Sequence, residues 1–307
     1  MNSSFNRRDF LKLGGSALAL ASLTPASLVA EETAPARKRV LKKGLMFATV
    51  SGTASVMDKF KMIKDAGFDG VEPNSGMDRD EVLKARDATG LEIASVCDSV
   101  HWAKTLTDAN PSVRAVGVEG LKTALQDAQK YGASSVLLVP GAVNKHVSYE
   151  DAYKRSQEEI RKALPMAEQC GVKIAIENVW NDFLLSPLEA ARYVDEFNSP
   201  WVGWHFDIGN VIAYGFPEQW IQVLGKRIQK LHIKEYSRKK RDDEGRWKGF
   251  QVEYLEGDNN WPAVMKALDG VGYKGWAIAE PAWWPQGVEL PVRLKQISEK
   301  MDKILAL

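Results

Sequence analysis

The sequence predicts an α/β protein built as a single closed (β/α)8 TIM barrel, and three observations predict it. From Leu45 onward, short apolar runs rich in Val, Ile and aromatic residues alternate with longer segments of helical period. Eight such runs fall within the last 260 or so residues, close to the ~250 residues typical of this barrel. The first run leads into Ser51-Gly52-Thr53-Ala54. It lacks the G-x-G-x-x-G turn that follows the first strand of an open nucleotide-binding sheet.

The candidate strands are residues 45–50, 70–73, 92–97, 135–140, 173–177, 202–207, 228–234 and 276–280. Helices are expected between them. Segment 56–66 places Val56, Phe60, Ile63 and Ala66 on one face and stops at Gly67. Segments 81–89, 113–131 and 149–170 stop at Gly90, Gly132 and Gly171. A glycine just past the last periodic residue is the left-handed stop that helices favour. The longest irregular stretch, 235–259, is charged and contains glycine, and is expected to form a loop over the barrel mouth.

Composition bounds the function. The chain has 307 residues, 45% apolar and 26% charged, which fits one large core and excludes intrinsic disorder. No run of ~18 apolar residues exists, so neither a multispan membrane protein nor a stable membrane anchor is expected. Formal net charge is +1, which supplies no basic field for nucleic acid. Cys97 and Cys170 are the only cysteines; they fall in different elements and are expected to stay unpaired.

The first thirty residues read as an address. Asn6-Arg7-Arg8-Asp9-Phe10-Leu11-Lys12 is followed by an apolar stretch from Leu13 to Leu23 and small residues ending Leu28-Val29-Ala30. A charged start, a short apolar middle and a small-residue end make an export signal. The pattern resembles the bacterial twin-arginine signal, which implies handling by the twin-arginine export machinery and a periplasmic or otherwise exported location. Cleavage is expected after Ala30. Removing three bases and one acid from a chain of net charge +1 leaves it near −1. The expected organisation is therefore a signal over 1–30, a flexible lead-in over 31–43 and the barrel over 44–307.

In a barrel of this type the site gathers where strands end. Four such ends carry groups that can bind a cation: Glu177, Asp207, His232 and Glu280, spaced 30, 25 and 48 residues apart. Three buried carboxylates and a neutral imidazole converging on one point repel one another unless a cation sits among them. A donor set of oxygens with one nitrogen suits one divalent metal ion, Mn2+, Mg2+, Co2+ or Zn2+, with positions open to substrate.

The runs Ile176-Glu177-Asn178, Phe206-Asp207-Ile208-Gly209-Asn210, Leu231-His232-Ile233-Lys234-Glu235 and Ala279-Glu280 resemble the xylose isomerase-like barrel superfamily. Within it the chain is similar to sugar (phosphate) isomerases and epimerases of the ketose 3-epimerase and hexulose-phosphate isomerase type. The segments 256–264 and 272–276 share that likeness, which extends from about residue 43 to the C-terminus. The resemblance implies that Glu177, Asp207, His232 and Glu280 bind the metal and that Glu177 and Glu280 serve as acid and base. A metal-bound carbonyl and hydroxyl acidify the C–H between them, so proton transfer through an enediolate gives epimerisation or isomerisation. It also implies substrate contacts at His101 and Arg238. Trp102 and Trp180, just past strand ends, offer faces for a sugar, and Glu72 is a candidate for a sugar hydroxyl. Ketose 3-epimerases carry a further His and Glu where this chain has Asn210 and Phe183, so a different substrate grip is expected.

These readings favour a metal-dependent sugar isomerase or epimerase. Export implies an unphosphorylated sugar, since phosphorylated sugars are cytoplasmic. Two alternatives remain open: a lyase or hydratase of keto-sugars or keto-glycosides on the same scaffold, and a non-catalytic carbohydrate-binding barrel. The superfamily's DNA-repair endonucleases need a histidine-rich trinuclear zinc site, and this chain has four His in all. Homo-oligomer formation is left open.

Overall fold

The structure, a computed structural model, describes residues 40–307. The predicted export signal and most of the predicted lead-in lie outside the described residues. Nine parallel strands form one sheet: β1 (Leu41–Met46), β2 (Gly70–Glu72), β3 (Glu92–Ile93), β4 (Val96–Cys97), β5 (Ser135–Leu138), β6 (Lys173–Glu177), β7 (Val202–Asp207), β8 (Ile228–Ile233) and β9 (Gly275–Ala279). Their order is β3-β2-β1-β9-β8-β7-β6-β5-β4. The two ends of that order are halves of one predicted strand, 92–97, so the sheet is an eight-membered barrel that closes on itself.

The split has a simple cause. Ala94 N–H donates to the Val71 carbonyl and Cys97 N–H to the Pro73 carbonyl, both at 2.9 Å. Three residue steps on one strand therefore match two on the other, which is a bulge carrying one extra residue. The bulge leaves Ser95 fully buried, with its hydroxyl bonded to Glu72.

The first strand also differs from expectation. It runs Leu41–Met46 rather than 45–50, and residues 47–49 form a 3-10 turn. Leu41–Leu45 pair residue by residue with Gly275–Ala279. This takes residues 41–43 out of the expected lead-in. Two lysines hid the strand. Lys43 is buried, with its ammonium on the Ser298 carbonyl at 3.2 Å and on Asp302, and Lys42 meets Glu92 at 2.6 Å.

Around the barrel lie α1 (Val56–Asp65), α2 (Arg79–Thr89), α3 (Pro111–Tyr131), α4 (Tyr149–Cys170), α5 (Pro187–Asp195), α6 (Ile208–Ile212), α7 (Pro217–Leu224), α8 (Arg238–Glu244), α9 (Trp261–Gly270) and α10 (Leu290–Leu305). Side chains of Ser55, Asp78, Asn110, Ser148 and Ser186 cap α1 to α5 by accepting a backbone N–H of the first turn. The expected glycine stops hold at Gly90, Gly132 and Gly171, with φ of 66°, 81° and 65°. Segment 235–259 contains α8 and a 3-10 turn, Arg246–Phe250, and is less irregular than expected.

Strand side chains alternate. Ile174, Ile176, Trp204, Phe206, Leu231 and Ile233 join the large core shared with the helices. The barrel interior is filled differently. Trp276, Ile278 and Ala94 form one small apolar cluster, and Cys97, Leu137 and Val139 another. Between them Glu72, His205, Lys230 and His232 are buried, so a polar column rises toward the strand ends. Cys97 and Cys170 are both free thiols, as expected.

Candidate active site

Glu177 closes β6, Asp207 closes β7, His232 lies on β8 and Glu280 follows β9. Parallel strands in matched register bring these four together: Glu177 pairs with His205, and Asp207 with His232. One donor atom from each can be chosen so that all lie within 4.8 Å of one another. That is close to the separations of about 3–4.4 Å between ligands bonded some 2.0–2.2 Å from a common ion.

Neighbouring groups fix these side chains in place. Asn178 accepts the Asp207 N–H at 3.0 Å and donates to the Asp207 carbonyl at 2.7 Å, clamping two strand ends together. Asp207 Oδ1 caps α6 by accepting the Asn210 N–H at 2.8 Å, which leaves Oδ2 for the site. His232 Nε2 stands 2.8 Å from Glu72 Oε2, and both side chains are fully buried. Burial opposes a charged His232, but Glu72, Glu280 and Glu177 outweigh it and push the imidazole well above the ordinary histidine range; with Nε2–H donating to Glu72, a bound cation would take the place of the second proton at Nδ1.

That nitrogen lies 2.8 Å from Glu177 Oε1 and equally close to Glu280 Oε2. One nitrogen cannot satisfy two carboxylates. Asp207 Oδ2 and Glu280 Oε2 are buried and lack a directed hydrogen bond. Burial pushes Glu177 above the usual carboxylate range despite His232, and lifts Asp207 to about 7 despite Lys234. Burial also opposes ionised Glu280, but Lys234 and His232 outweigh it and hold that carboxyl down. The donor set is crowded with negative charge and oriented lone pairs, which is the chemistry a divalent cation satisfies. Glu177, Asp207, His232 and Glu280 thus form a possible metal-ligand cluster.

The cluster opens into a cavity of about 300 Å³, at the small end for ligand pockets. Its wall includes Glu177, Glu280, His101, Trp102 and Trp180, all expected from the sequence. His101 Nδ1 accepts the Val139 N–H at 3.2 Å, which leaves Nε2–H as a donor. Burial holds this imidazole down at about 4, so it stays neutral.

Two expected contacts lie elsewhere. Arg238 donates from Nε to the Ile212 carbonyl and from Nη2 to the Gly215 carbonyl, each at 2.9 Å, and covers Phe216. It ties a loop rather than lining the cavity. Glu72 sits beneath His232 and orients it, where no sugar hydroxyl reaches. Asn210 lines the cavity, whereas Phe183 packs among Tyr149, Tyr153 and Tyr193. His205 is a fully buried barrel residue; burial holds it neutral, and its ring centroid lies 4.2 Å from that of His232.

Sequence reasoning missed three contributors. Lys234 Nζ lies 2.8 Å from both Asp207 Oδ2 and Glu280 Oε1. Its place two residues after His232, just past the end of β8, was the available signal. Trp247 and Phe250 roof the cavity from the 3-10 turn, and no strand end announces them.

The family profile described as xylose isomerase-like TIM barrel matches residues 60–300. The chain is 26% identical over 249 residues to L-ribulose-5-phosphate 3-epimerase UlaE of Escherichia coli O1:K1, covering 76% of this chain and 84% of that protein. Among solved structures it resembles 3-keto-D-glucoside 4-epimerase YcjR from E. coli, with TM-score 0.72 and 16% identity over 87% of this chain and all of that one. An L-ribulose 3-epimerase matches with TM-score 0.72 and 17% identity over 87% and 95% of the two chains. The family match over most of the barrel, together with relatives that are sugar epimerases, shows that this chain belongs to the xylose isomerase-like TIM barrel family.

Proposed function

We propose that the protein is an exported, divalent-metal-dependent sugar epimerase or isomerase that acts through an enediolate on an unphosphorylated keto-sugar. The observation that carries the reading is the convergence of Glu177, Asp207, His232 and Glu280, two of which, Glu177 and Glu280, line one cavity. A bound divalent ion would supply Lewis acidity to a sugar carbonyl and its neighbouring hydroxyl. Glu177 and Glu280 reach the cavity from barrel strands three positions apart, so one can take a carbon-bound proton while the other returns one. His101 offers a neutral donor to a sugar oxygen. Asn178 and Glu72 hold Asp207 and His232 still while the proton moves.

The preference for an unphosphorylated sugar rests on charge. Among the described residues Lys234 is the one Lys or Arg in the cavity wall, and it is engaged by Asp207 and Glu280. The twin-arginine pattern at Arg7-Arg8 supports export, where free sugars are met. The test is NMR in D2O with neutral keto-sugars and with phosphosugars. Metal-dependent deuterium incorporation at carbon, abolished by EDTA, is expected for the neutral set. Turnover of phosphosugars alone, or a product lighter by one water, would overturn this assignment.

A further inference from the structure

A cation of the protein's own stands among the metal-ligand candidates. Lys234 follows the last residue of β8, and its side chain is buried. Its Nζ lies 2.8 Å from Asp207 Oδ2, 2.8 Å from Glu280 Oε1 and 3.3 Å from Asn210 Oδ1, so three N–H groups meet three acceptors. The Phe250 ring covers the same nitrogen, with its centroid 5.5 Å away.

The surroundings are shaped to admit this lysine. A Cβ at Gly209 would come within 2.7 Å of the Lys234 Cβ and of its carbonyl oxygen, so a side chain at 209 would collide with Lys234. The Asn259 side-chain amide donates to that carbonyl at 2.7 Å and holds the backbone. Gly209 and Asn210 lie in α6, the short helix that Asp207 caps. The segment after one candidate ligand therefore both makes room for the ammonium and supplies an acceptor to it.

The ammonium also divides the carboxylate oxygens. Asp207 Oδ1 accepts the Asn210 N–H, which leaves Oδ2. Glu280 turns Oε1 to Lys234 and Oε2 to His232 Nδ1, each at 2.8 Å, and so offers the cluster one oxygen. When ionised, Glu177, Asp207 and Glu280 bring three negative charges, and an imidazole that gives Nδ1 to a cation brings none. Lys234 cancels one of the three. Two remain, which is the charge of one divalent ion.

We infer that Lys234 is a positioning residue of the metal site, a fixed counter-ion that turns Glu280 to offer one oxygen and trims the donor set to the charge of a single divalent ion. This rests on the metal-dependent reading above and deepens it. In protein stripped of metal, Lys234 holds mutually repelling carboxylates together; beside a bound ion it is a like charge. Its loss should therefore weaken the stripped protein and tighten metal binding. Loss of a merely structural residue would loosen metal binding instead.

The test uses the full chain, stripped with a chelator and titrated calorimetrically with Mn2+ and, separately, with Tb3+. Lys234→Met keeps the length of the side chain and removes its charge, and Lys234→Gln removes the charge but keeps a donor. Removing a unit charge at hydrogen-bond range from two donor groups predicts a gain of about tenfold or more in Mn2+ affinity for both variants. The gain should be larger for Tb3+, because repulsion by Lys234 scales with the charge of the ion. Thermal melts should show both variants losing more stability without metal than with Mn2+, and a variant that folds only with Mn2+ present is the same result at its limit. Mn2+ affinity unchanged or lower in both variants, or equal gains for the two ions, would overturn the inference and leave the metal-dependent reading standing. Wild type that takes up no Mn2+ would remove that reading, and the inference with it.

Discussion

Replacing Glu72 by glutamine tests whether the buried carboxylate beneath His232 tunes the metal site. Glu72 and His232 are both fully buried, and the Oε2–Nε2 distance is 2.8 Å. Glutamine has the same shape. Its amide oxygen can still accept the Nε2 proton, and its amide N–H can donate to the Ser95 hydroxyl, which now donates to Glu72. The packing and the imidazole tautomer therefore survive, and only the negative charge is lost. Outer partners of this kind change metal affinity about 10–100-fold, or roughly 1.4–2.7 kcal/mol. The assay is calorimetric titration of Mn2+ into metal-stripped wild type and variant, with thermal melts to confirm folding. An affinity within twofold of wild type, with the melting temperature unchanged, would refute a contribution of the Glu72 charge to metal affinity.

Three further outcomes follow from the same geometry. Glu177→Gln should lower deuterium exchange by about 10²–10⁴-fold while the protein stays folded by circular dichroism. Arg238→Ala should cost about 1–3 kcal/mol in chemical unfolding by releasing the Ile212 and Gly215 carbonyls, with KM near wild type. His101 should make stability depend on acid. Its imidazole is held at about 4 in the folded protein, below the ordinary 6.5, so only the unfolded chain takes up a proton between those values. Its contribution is intact above pH 6.5 and falls by up to about 3 kcal/mol as pH drops to 4. Unfolding of wild type and His101→Gln at pH 7.5 and 4.5 should show the gap between them changing with pH.

The barrel and its four ligand candidates were legible because both are written as local pattern. Apolar runs alternating with helical period give the strand order, and a polar residue closing a run marks the site end. Glu177, Asp207 and Glu280 stand out because a carboxylate is costly at the end of a buried strand. What escaped was non-local. Lys42 and Lys43 disguised the start of β1, since their partners Glu92 and Asp302 lie far along the chain. Glu72 read as a sugar contact because nothing nearby reveals His232 above it. Arg238 read as a ligand contact from its spacing after His232, but its guanidinium turns to main-chain carbonyls. Trp247 sits in a turn whose place over the cavity depends on packing against Tyr236.

The bulge in the third barrel strand joins two jobs in one residue. Ser95 is the extra step where the cylinder seals, and its hydroxyl also steadies the carboxylate under the imidazole. A one-residue deletion there would be felt twice, as slipped pairing along the seam and as a loosened acid below His232. Chain length at this point thus bears on both the closure of the cylinder and the acid beneath the imidazole.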